Sequence, residues 1–288
     1  MHTKTLILSA MLCAAMPLVP AAAEDWNAPQ APFAVFGNTY YVGVRGLSSV
    51  LITSAAGHIL IDGGSPKSPR QIVRHIRQLG FKVEDIKFIL NSHEHFDHAG
   101  GIAEMQRLSG ATVLASAQGE QVLHTGLPSK GDPQYVTLSS MRAVANTRVV
   151  RDLETVTLGP LAVTAHYTPG HTQGGVSWTW RSTEGGTTAS MVYADSLTAI
   201  SAEPFRYSGN TLYPGARADI EKSIATIASL DCDVLVSAHP EVGDLWIRKE
   251  KQARLGNKAF IDAHACSNYA AKARVKLAST LVEEAARK

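Results

Sequence analysis

The side chains with the clearest capacity for chemistry lie close together between positions 93 and 98. They are His93, His95, Asp97 and His98. Imidazole nitrogen is a preferred ligand of zinc, and a carboxylate suits a harder or bridging position. In an extended turn His93 and His95 would point to the same side, and Asp97 and His98 would face a neighbouring centre. The density of ligands favours a metal site over an ordinary surface loop.

Further ligands must come from other parts of the chain, because each zinc ion takes about four ligands. His171 lies in a Pro-Gly-His-Thr segment and His239 in an Ala-His-Pro segment, each just after a predicted strand. Alone, either would be interpreted as a loop histidine, but beside the cluster both become candidate ligands. Six ligands from three loops exceed what one tetrahedral ion accepts, so we predict two zinc ions per chain. The other histidines of the mature chain are interpreted as structural or solvated: His58, His75, His124, His166 and His264.

The composition excludes several other classes of function. The chain is 45% hydrophobic and 18% charged, which is typical of a globular protein with a full core. Its formal net charge is +2 and it has no run of Lys or Arg, so no nucleic acid or anionic membrane partner is expected. Because no serine has a lysine three residues later, a covalent serine mechanism of the Ser-x-x-Lys type is disfavoured.

Strands and helices alternate around these candidate ligands. Period-two patterns predict strands, and helical spacing of apolar residues predicts the helices between them. Weak periodicity predicts a long loop at 126–149 that borders the site. The pattern predicts an α/β fold with helices flanking two sheets, in a single domain over 24–288. Strands are predicted at 39–44, 49–53, 58–61, 87–90, 112–115, 161–166, 176–180, 189–193 and 234–236, and helices at 69–79, about 99–108, about 218–230 and from 247 onward.

The first 23 residues resemble a signal peptide. Lys4 gives a basic start, an apolar run extends over 6–19, and three alanines precede Glu24. The run is shorter than the roughly 18 to 20 residues that span a bilayer, so we expect an exported, periplasmic protein without a membrane anchor. Beyond this leader the chain has two cysteines, Cys232 and Cys266. In an oxidising compartment such a pair forms a disulfide more often than a metal site, with two buried free thiols as the alternative.

The motifs resemble, in the same order and with similar spacing, those of the metallo-β-lactamase superfamily. They are the H-x-H-x-D-H run, the Gly-His-Thr turn, the Ala-Asp-Ser segment and the Ala-His-Pro turn, and together they span most of the mature chain. The sequence is most similar to the subclass B3 β-lactamases. This resemblance implies an αβ/βα sandwich of two mixed β-sheets flanked by helices. It also implies hydrolysis of the β-lactam amide of penicillins, cephalosporins and carbapenems by a metal-bound hydroxide.

The resemblance assigns a role to each candidate residue. One zinc would be bound by His93, His95 and His171, and the other by Asp97, His98 and His239. Asp97 would also act as the catalytic residue that orients the hydroxide. Cys232 and Cys266 lie where some B3 enzymes carry a disulfide. We expect a small β-lactam as the partner and a monomer as the working unit.

The segment 193–198 distinguishes among relatives. In lactonase-type and glyoxalase-type members an aspartate here bridges both metals, whereas B3 enzymes resemble this chain in having Asp-Ser-Leu with the serine facing the site. Ser196 is therefore predicted to contact substrate, and Thr198, which replaces a second serine usual in B3 enzymes, can hold a substrate carboxylate. Two alternatives remain: a lactonase or thioester hydrolase with Asp195 as a bridging ligand, and a metal-binding protein without catalysis.

Overall fold

Consecutive residues of the first long strands are buried on both of their faces. In β3 (Val50–Ser54), Val50 and Ile52 pack in the core between two sheets, while Leu51 packs on the opposite face among helices. Because side chains alternate between the faces of a strand, the sheet must be covered on both sides. The result is a sandwich whose layers are helix, sheet, sheet and helix.

The first sheet has seven strands, ordered along the chain, in the computed structural model that describes residues 25–287. Its first four strands pair antiparallel, and the pairs from the fourth to the seventh are parallel. The strands are β1 (Phe33–Phe36), β2 (Thr39–Tyr41), β3, β4 (Gly57–Ile61), β5 (Ile86–Leu90), β6 (Thr112–Ala115) and β7 (Thr147–Val149).

The second sheet has five strands, and it is also mixed. Its strands are β8 (Thr155–Leu158), β9 (Leu161–Tyr167), β10 (Val176–Glu184), β11 (Thr187–Ala194) and β12 (Val234–Ser237). The order is β12-β11-β10-β9-β8, with β11 and β12 parallel and the other pairs antiparallel. The carboxyl ends of β9, β11 and β12 therefore lie at the same edge of this sheet.

Helices flank the two sheets. They are α1 (Pro69–Gln78), α2 (Phe96–Ala99), α3 (Ile102–Ser109), α4 (Ala117–Thr125), α5 (Ala216–Ser229), α6 (Leu245–Glu250), α7 (Gln252–Leu255) and α8 (Ala265–Ala286). Ile72 of α1 and Met105 of α3 pack on the first sheet, and Ile224 of α5 and Tyr269 of α8 pack on the second. This arrangement confirms the predicted αβ/βα sandwich.

The structure differs from the sequence prediction at two helices. The helix expected from about residue 99 begins at Phe96, so Asp97 and His98 lie in a helical turn rather than an extended one. An acidic side chain in the first turn is favoured by the helix dipole, which is consistent with this earlier start. The other difference is α4, a helix that the sequence did not predict. It begins after Ser116, whose hydroxyl accepts a hydrogen bond from the backbone N–H of Gly119.

The predicted leader over residues 1–23 lies outside the described residues and stays a prediction. Among residues 25–287, none of the helices combines the length and the apolar character needed to cross a membrane. The predicted disulfide is confirmed: the Sγ atoms of Cys232 and Cys266 are bonded, with their Cα atoms 6.2 Å apart. It joins the chain after α5 to the beginning of α8.

Removing this disulfide should lower stability without changing the chemistry. The bond closes a loop with a sequence separation of 34 residues. The chain-entropy model then gives a loss of about 4 kcal/mol in the double Cys232→Ser, Cys266→Ser variant. For a chain of this size the melting temperature should fall by about 8 to 15 °C. Thermal unfolding measures the shift, and turnover at a temperature where the variant is folded should match the oxidised wild type. An unchanged melting temperature would contradict this assignment.

Candidate metal centre

Loops from both sheets meet at one edge of the sandwich. The run His93–His98 follows β5, His171 follows β9, and His239 follows β12. Asp195 and Ser196 follow β11, between the ends of β9 and β12. Hydrogen bonds join the two sheets here: the N–H of Val176 donates to the carbonyl of Ser92 at 2.7 Å. The fold thus brings residues that are far apart in sequence to one place.

Asp62 fixes the turn that carries the first histidines. Its side chain is fully buried and accepts hydrogen bonds from the N–H of Ser92 at 2.7 Å, from the Ser92 hydroxyl at 2.6 Å and from the Tyr193 hydroxyl at 2.8 Å. The backbone of Asp62 has a φ of 57°, a left-handed conformation that Asp tolerates better than most residues. Sequence reasoning missed this residue, although an acidic residue directly after the apolar strand β4 was an available signal.

The first group of candidate ligands consists of His93, His95 and His171. One ring nitrogen from each lies within 4.8 Å of the others, and all three side chains are buried. The Nε2 atom of His93 is buried and has no hydrogen-bond partner. Leaving a buried polar atom unsatisfied costs about 1 to 3 kcal/mol, so this nitrogen fits a site that binds something. Three converging imidazoles are a donor set that suits a metal ion.

The second group consists of Asp97, His98 and His239. The Oδ2 atom of Asp97 lies 3.2 Å from Nε2 of His98 and 3.4 Å from Nε2 of His239. The two imidazole Nε2 atoms are 3.1 Å apart. His93 adjoins this group as well, because its donor atom lies within 4.8 Å of those of Asp97 and His98. The two groups are therefore adjacent, and both fit a metal cofactor.

In four of the five candidate ligand histidines the second ring nitrogen contacts an acceptor outside the cluster. These contacts assign the N–H to the outer nitrogen and leave the inner lone pair for a metal, as is usual for metal-binding histidines. The pairs are His93 Nδ1 to Asp195 Oδ1 at 2.7 Å, His95 Nε2 to Asp132 Oδ2 at 2.9 Å, His171 Nδ1 to Thr198 O at 2.7 Å, and His239 Nδ1 to Gly46 O at 3.2 Å. Nδ1 of His98 makes no hydrogen bond, and the nearest carboxylate oxygen, Oδ2 of Asp62, lies 3.8 Å from it.

The protonation states also suit metal binding. Burial lowers the pKa of His93 well below its usual value and that of His171 to about 3, so both imidazoles are neutral at pH 7. Burial alone would raise the pKa of Asp97, but His98 and His239 hold it well below its usual range. His93 and His171 are therefore neutral and Asp97 is ionised, which is the form in which these residues bind metals. Burial alone would lower the pKa of His95, but its contact with the Asp132 carboxylate raises it above its usual value.

Asp195 lies behind His93 rather than among the converging donor atoms. Its Oδ1 atom contacts the outer nitrogen of His93 and also accepts a hydrogen bond from the N–H of Ser196 at 2.7 Å. The Tyr269 hydroxyl donates to its backbone carbonyl at 2.8 Å. Asp195 belongs to neither of the two ligand groups identified among residues 25–287. This geometry supports an orienting role more than a bridging one.

Two further acidic residues that the sequence did not single out support the ligands. Asp132, which contacts His95, comes from the loop that was predicted to border the site, and it is only 3% exposed. Buried Glu94 accepts hydrogen bonds from the Thr172 hydroxyl at 2.9 Å and the N–H of Gly174 at 3.0 Å. Glu94 thereby holds the turn that contains His171 against the first histidines.

A cavity of about 380 Å³ opens over the cluster. Ser196 and Thr198, the predicted substrate contacts, both line it, and so does Asp97. Its walls also include apolar side chains, so the cavity can hold a small molecule with both polar and apolar parts. Other lining residues are Trp26, Arg45, Gln134, Leu138, Ile200, Glu241 and Val242.

Comparisons with known proteins agree with this geometry. A family model described as the metallo-beta-lactamase superfamily matches residues 42–239. The crystal structure of MEM-A1, a subclass B3 metallo-beta-lactamase isolated from a soil metagenome library, is 71% identical with a TM-score of 0.91, covering 92% of this chain and 100% of that chain. The Rm3 metallo-beta-lactamase is 52% identical with a TM-score of 0.89, covering 90% of this chain and 96% of that one. A curated hydroxyacylglutathione hydrolase of Maricaulis maris (strain MCS10) is 26% identical over 200 residues, which are 69% of this chain and 62% of that protein. The chain thus spans less than two thirds of the length of this curated relative.

Proposed function

The chain belongs to the metallo-beta-lactamase superfamily, and from this membership we propose that it hydrolyses the β-lactam amide of penicillins, cephalosporins and carbapenems with the help of two zinc ions. The predicted resemblance to subclass B3 is confirmed by the 71% identity to a solved B3 enzyme. The observation that carries the proposal is the convergence of six candidate ligand side chains beneath a cavity that Ser196 and Thr198 also line.

The donor set supports zinc and a count of two. His93, His95 and His171 would hold one ion, and Asp97, His98 and His239 the other. Imidazole-rich sites suit zinc, and three protein ligands per ion leave a coordination position open for water or substrate. The buried, unsatisfied Nε2 of His93 supports an ion at the first group. The close approach of His98, His239 and Asp97 supports a second ion.

The residues of the cavity divide the work of hydrolysis. When bound, zinc would lower the pKa of a water molecule and polarise a carbonyl oxygen of the substrate. The ionised carboxylate of Asp97 lines the cavity and can accept a hydrogen bond from an attacking water, which orients that water towards the ring carbonyl. The hydroxyl groups of Ser196 and Thr198 can donate hydrogen bonds to substrate oxygens. Apolar walls such as Trp26 and Leu138 exclude water around the ring.

A lactonase or thioester hydrolase is the second candidate. The curated relative named a hydroxyacylglutathione hydrolase favours it, at 26% identity. That reaction would need Asp195 as a bridging ligand, but the Asp195 carboxylate contacts the outer nitrogen of His93.

We also propose that the protein acts in the periplasm, because residues 1–23 resemble a signal peptide and the disulfide suits an oxidising compartment. A monomer is proposed as the working unit.

Steady-state hydrolysis of a carbapenem, with and without a chelator, tests the proposed function. We expect turnover that the chelator abolishes and that added zinc restores, since no serine nucleophile of the Ser-x-x-Lys type is present in the sequence. An acyl homoserine lactone and a glutathione thioester serve as competing substrates. If the zinc-loaded protein hydrolysed one of these but no penicillin, cephalosporin or carbapenem, the proposed function would be wrong.

Metal analysis should give two zinc ions per chain under zinc-replete conditions. The physical reason is that the six ligands form two groups of three, which exceeds the capacity of one tetrahedral ion. His239→Ala should lower the stoichiometry towards one, because only the second group loses a ligand. A wild-type stoichiometry of one together with full activity would contradict the two-metal proposal.

A further inference from the structure

The first described residues form a strap across the second ligand group. We use the name N-terminal strap for residues 25–28. The N–H of Gly46 donates to the carbonyl of Trp26 at 3.0 Å, and the N–H of Arg45 donates to the carbonyl of Ala28 at 3.0 Å. The strap therefore pairs with the loop that joins β2 to β3. The centroid of the Trp26 ring lies 5.2 Å from that of the His239 ring.

Gly46 connects the strap to a proposed metal ligand. Its carbonyl faces Nδ1 of His239 at 3.2 Å and so sets the orientation of that ring. A Cβ atom at Gly46 would lie 2.8 Å from Cα and 2.9 Å from Cδ1 of Trp26, so only glycine allows this close approach. The strap thus packs directly against the residue that orients His239.

Asn27 anchors the other side of the strap. Its Oδ1 atom accepts hydrogen bonds from the Ser65 hydroxyl at 3.0 Å and from the Ser68 hydroxyl at 2.7 Å. Its backbone carbonyl accepts a hydrogen bond from Nε2 of Gln71 at 2.7 Å. Ser65 and Ser68 lie just before α1, so Asn27 connects the strap to the beginning of this helix.

The segment 63–68, which contains Ser65 and Ser68, is in turn hydrogen-bonded to the helical turn that carries His98. The N–H of Gly63 donates to the carbonyl of His98 at 3.0 Å, and the N–H of Gly101 donates to the carbonyl of Gly64 at 2.9 Å. Gly63 and Gly64 directly precede Ser65. The strap therefore connects the segment that supports His98 with the loop that orients His239, and these two imidazoles come from different sheets.

We propose that the N-terminal strap is a positioning element for the metal ion held by Asp97, His98 and His239. It fixes the relative position of the His98 and His239 rings and so strengthens binding of that ion, while the ion held by the first group is independent of it. This inference rests on the proposed two-zinc function. Loss of a partner that orients a ligand histidine typically weakens metal binding about 10- to 100-fold, and an indirect tie should lie near the lower value.

Asn27→Ala is the sharpest test, because Asn27 does not line the cavity and contacts no proposed ligand. Zinc affinity is measured by competition with a chelating dye, using the full chain after the leader. We expect the dissociation constant of one zinc ion to rise about tenfold and that of the other to change less than twofold. Trp26→Ala should weaken the same ion and also change KM, since Trp26 lines the cavity.

Two matched variants control the test. Asn27→Asp keeps an acceptor oxygen for both serine hydroxyls and should retain the wild-type zinc affinities. Gln30→Ala removes a side chain of the same region that bonds only to the carbonyl of Ala31, and it should also be neutral. Thermal unfolding verifies that each variant is folded.

Unchanged affinity for both ions in Asn27→Ala would overturn the proposal, and so would equal weakening of both ions. An equal loss in Asn27→Asp and Asn27→Ala would also overturn it, because the acceptor would then not be the cause. The dye measurement needs no substrate. If the wild type bound two zinc ions but hydrolysed no β-lactam, the proposed function would fail while the strap was still tested.

Discussion

Asp97→Ala is expected to lower kcat/KM for a carbapenem about 10³-fold, which corresponds to about 4 kcal/mol of transition-state stabilisation. Asp97 supplies the single carboxylate of the second ligand group, and its Oδ2 atom lies 3.2 Å from Nε2 of His98 and 3.4 Å from Nε2 of His239. Without it, two imidazoles remain for the second ion, and the acceptor that orients an attacking water is lost. Both losses act on the same step, so a large effect follows.

The control for this variant is His124→Ala. His124 is exposed on α4 and belongs to neither ligand group among the described residues. Its substitution should change kcat/KM by less than a factor of about two, because ordinary surface substitutions have small effects. Zinc analysis of Asp97→Ala should show weaker retention of one ion. If both substitutions were equally harmless, the assignment of Asp97 would be wrong.

The candidate ligands could be proposed from the sequence because metal chemistry restricts the residue types, and the fold brings their donor atoms together. His93, His95 and His98 stand out by density, and His171 and His239 by their place after strands. Of the acceptors behind them, Asp132 has no such signal, and the place of Asp62 directly after β4 does not indicate which residue it contacts. Asp132 supports His95 across 37 residues, and Asp62 supports Ser92 across 30, so their roles arise only when the chain is folded. Most acidic residues of a globular protein are exposed, so a single Asp in a sequence does not indicate a buried supporting role.

The elements that were predicted are those with strong apolar periodicity. Strands β3 and β4 are buried almost throughout, and their runs of apolar residues were sufficient to predict them. Strands β7 and β8 are short and largely exposed, so few apolar residues mark them. Helix α4 has only Val122 and Leu123 as large buried apolar residues, too few for a helical pattern. Its Ser116 cap and the closing Gly126 were the available signals.

Substitutions at Asp195 and Ser196 should separate the proposed β-lactamase from its lactonase-type relatives. Oδ1 of Asp195 accepts from the outer nitrogen of neutral His93 at 2.7 Å. Asparagine can present a carbonyl oxygen at the same place, so Asp195→Asn should keep both zinc ions. Alanine cannot, and it would leave the buried His93 ring without its partner. Asp195→Ala should therefore weaken zinc binding about 10- to 100-fold.

Ser196→Ala completes the comparison. Ser196 lines the cavity and is not one of the six proposed ligands, so the variant should keep both zinc ions. Loss of one neutral hydrogen bond, about 0.5 to 1.5 kcal/mol, should reduce turnover by a factor of about 2 to 13. If Asp195 were instead a bridging ligand, Asp195→Asn would itself lose metal and Ser196→Ala would be almost silent. Zinc content and carbapenem turnover of the three variants distinguish the two mechanisms, and metal loss from Asp195→Asn would reverse the order of the two proposed functions.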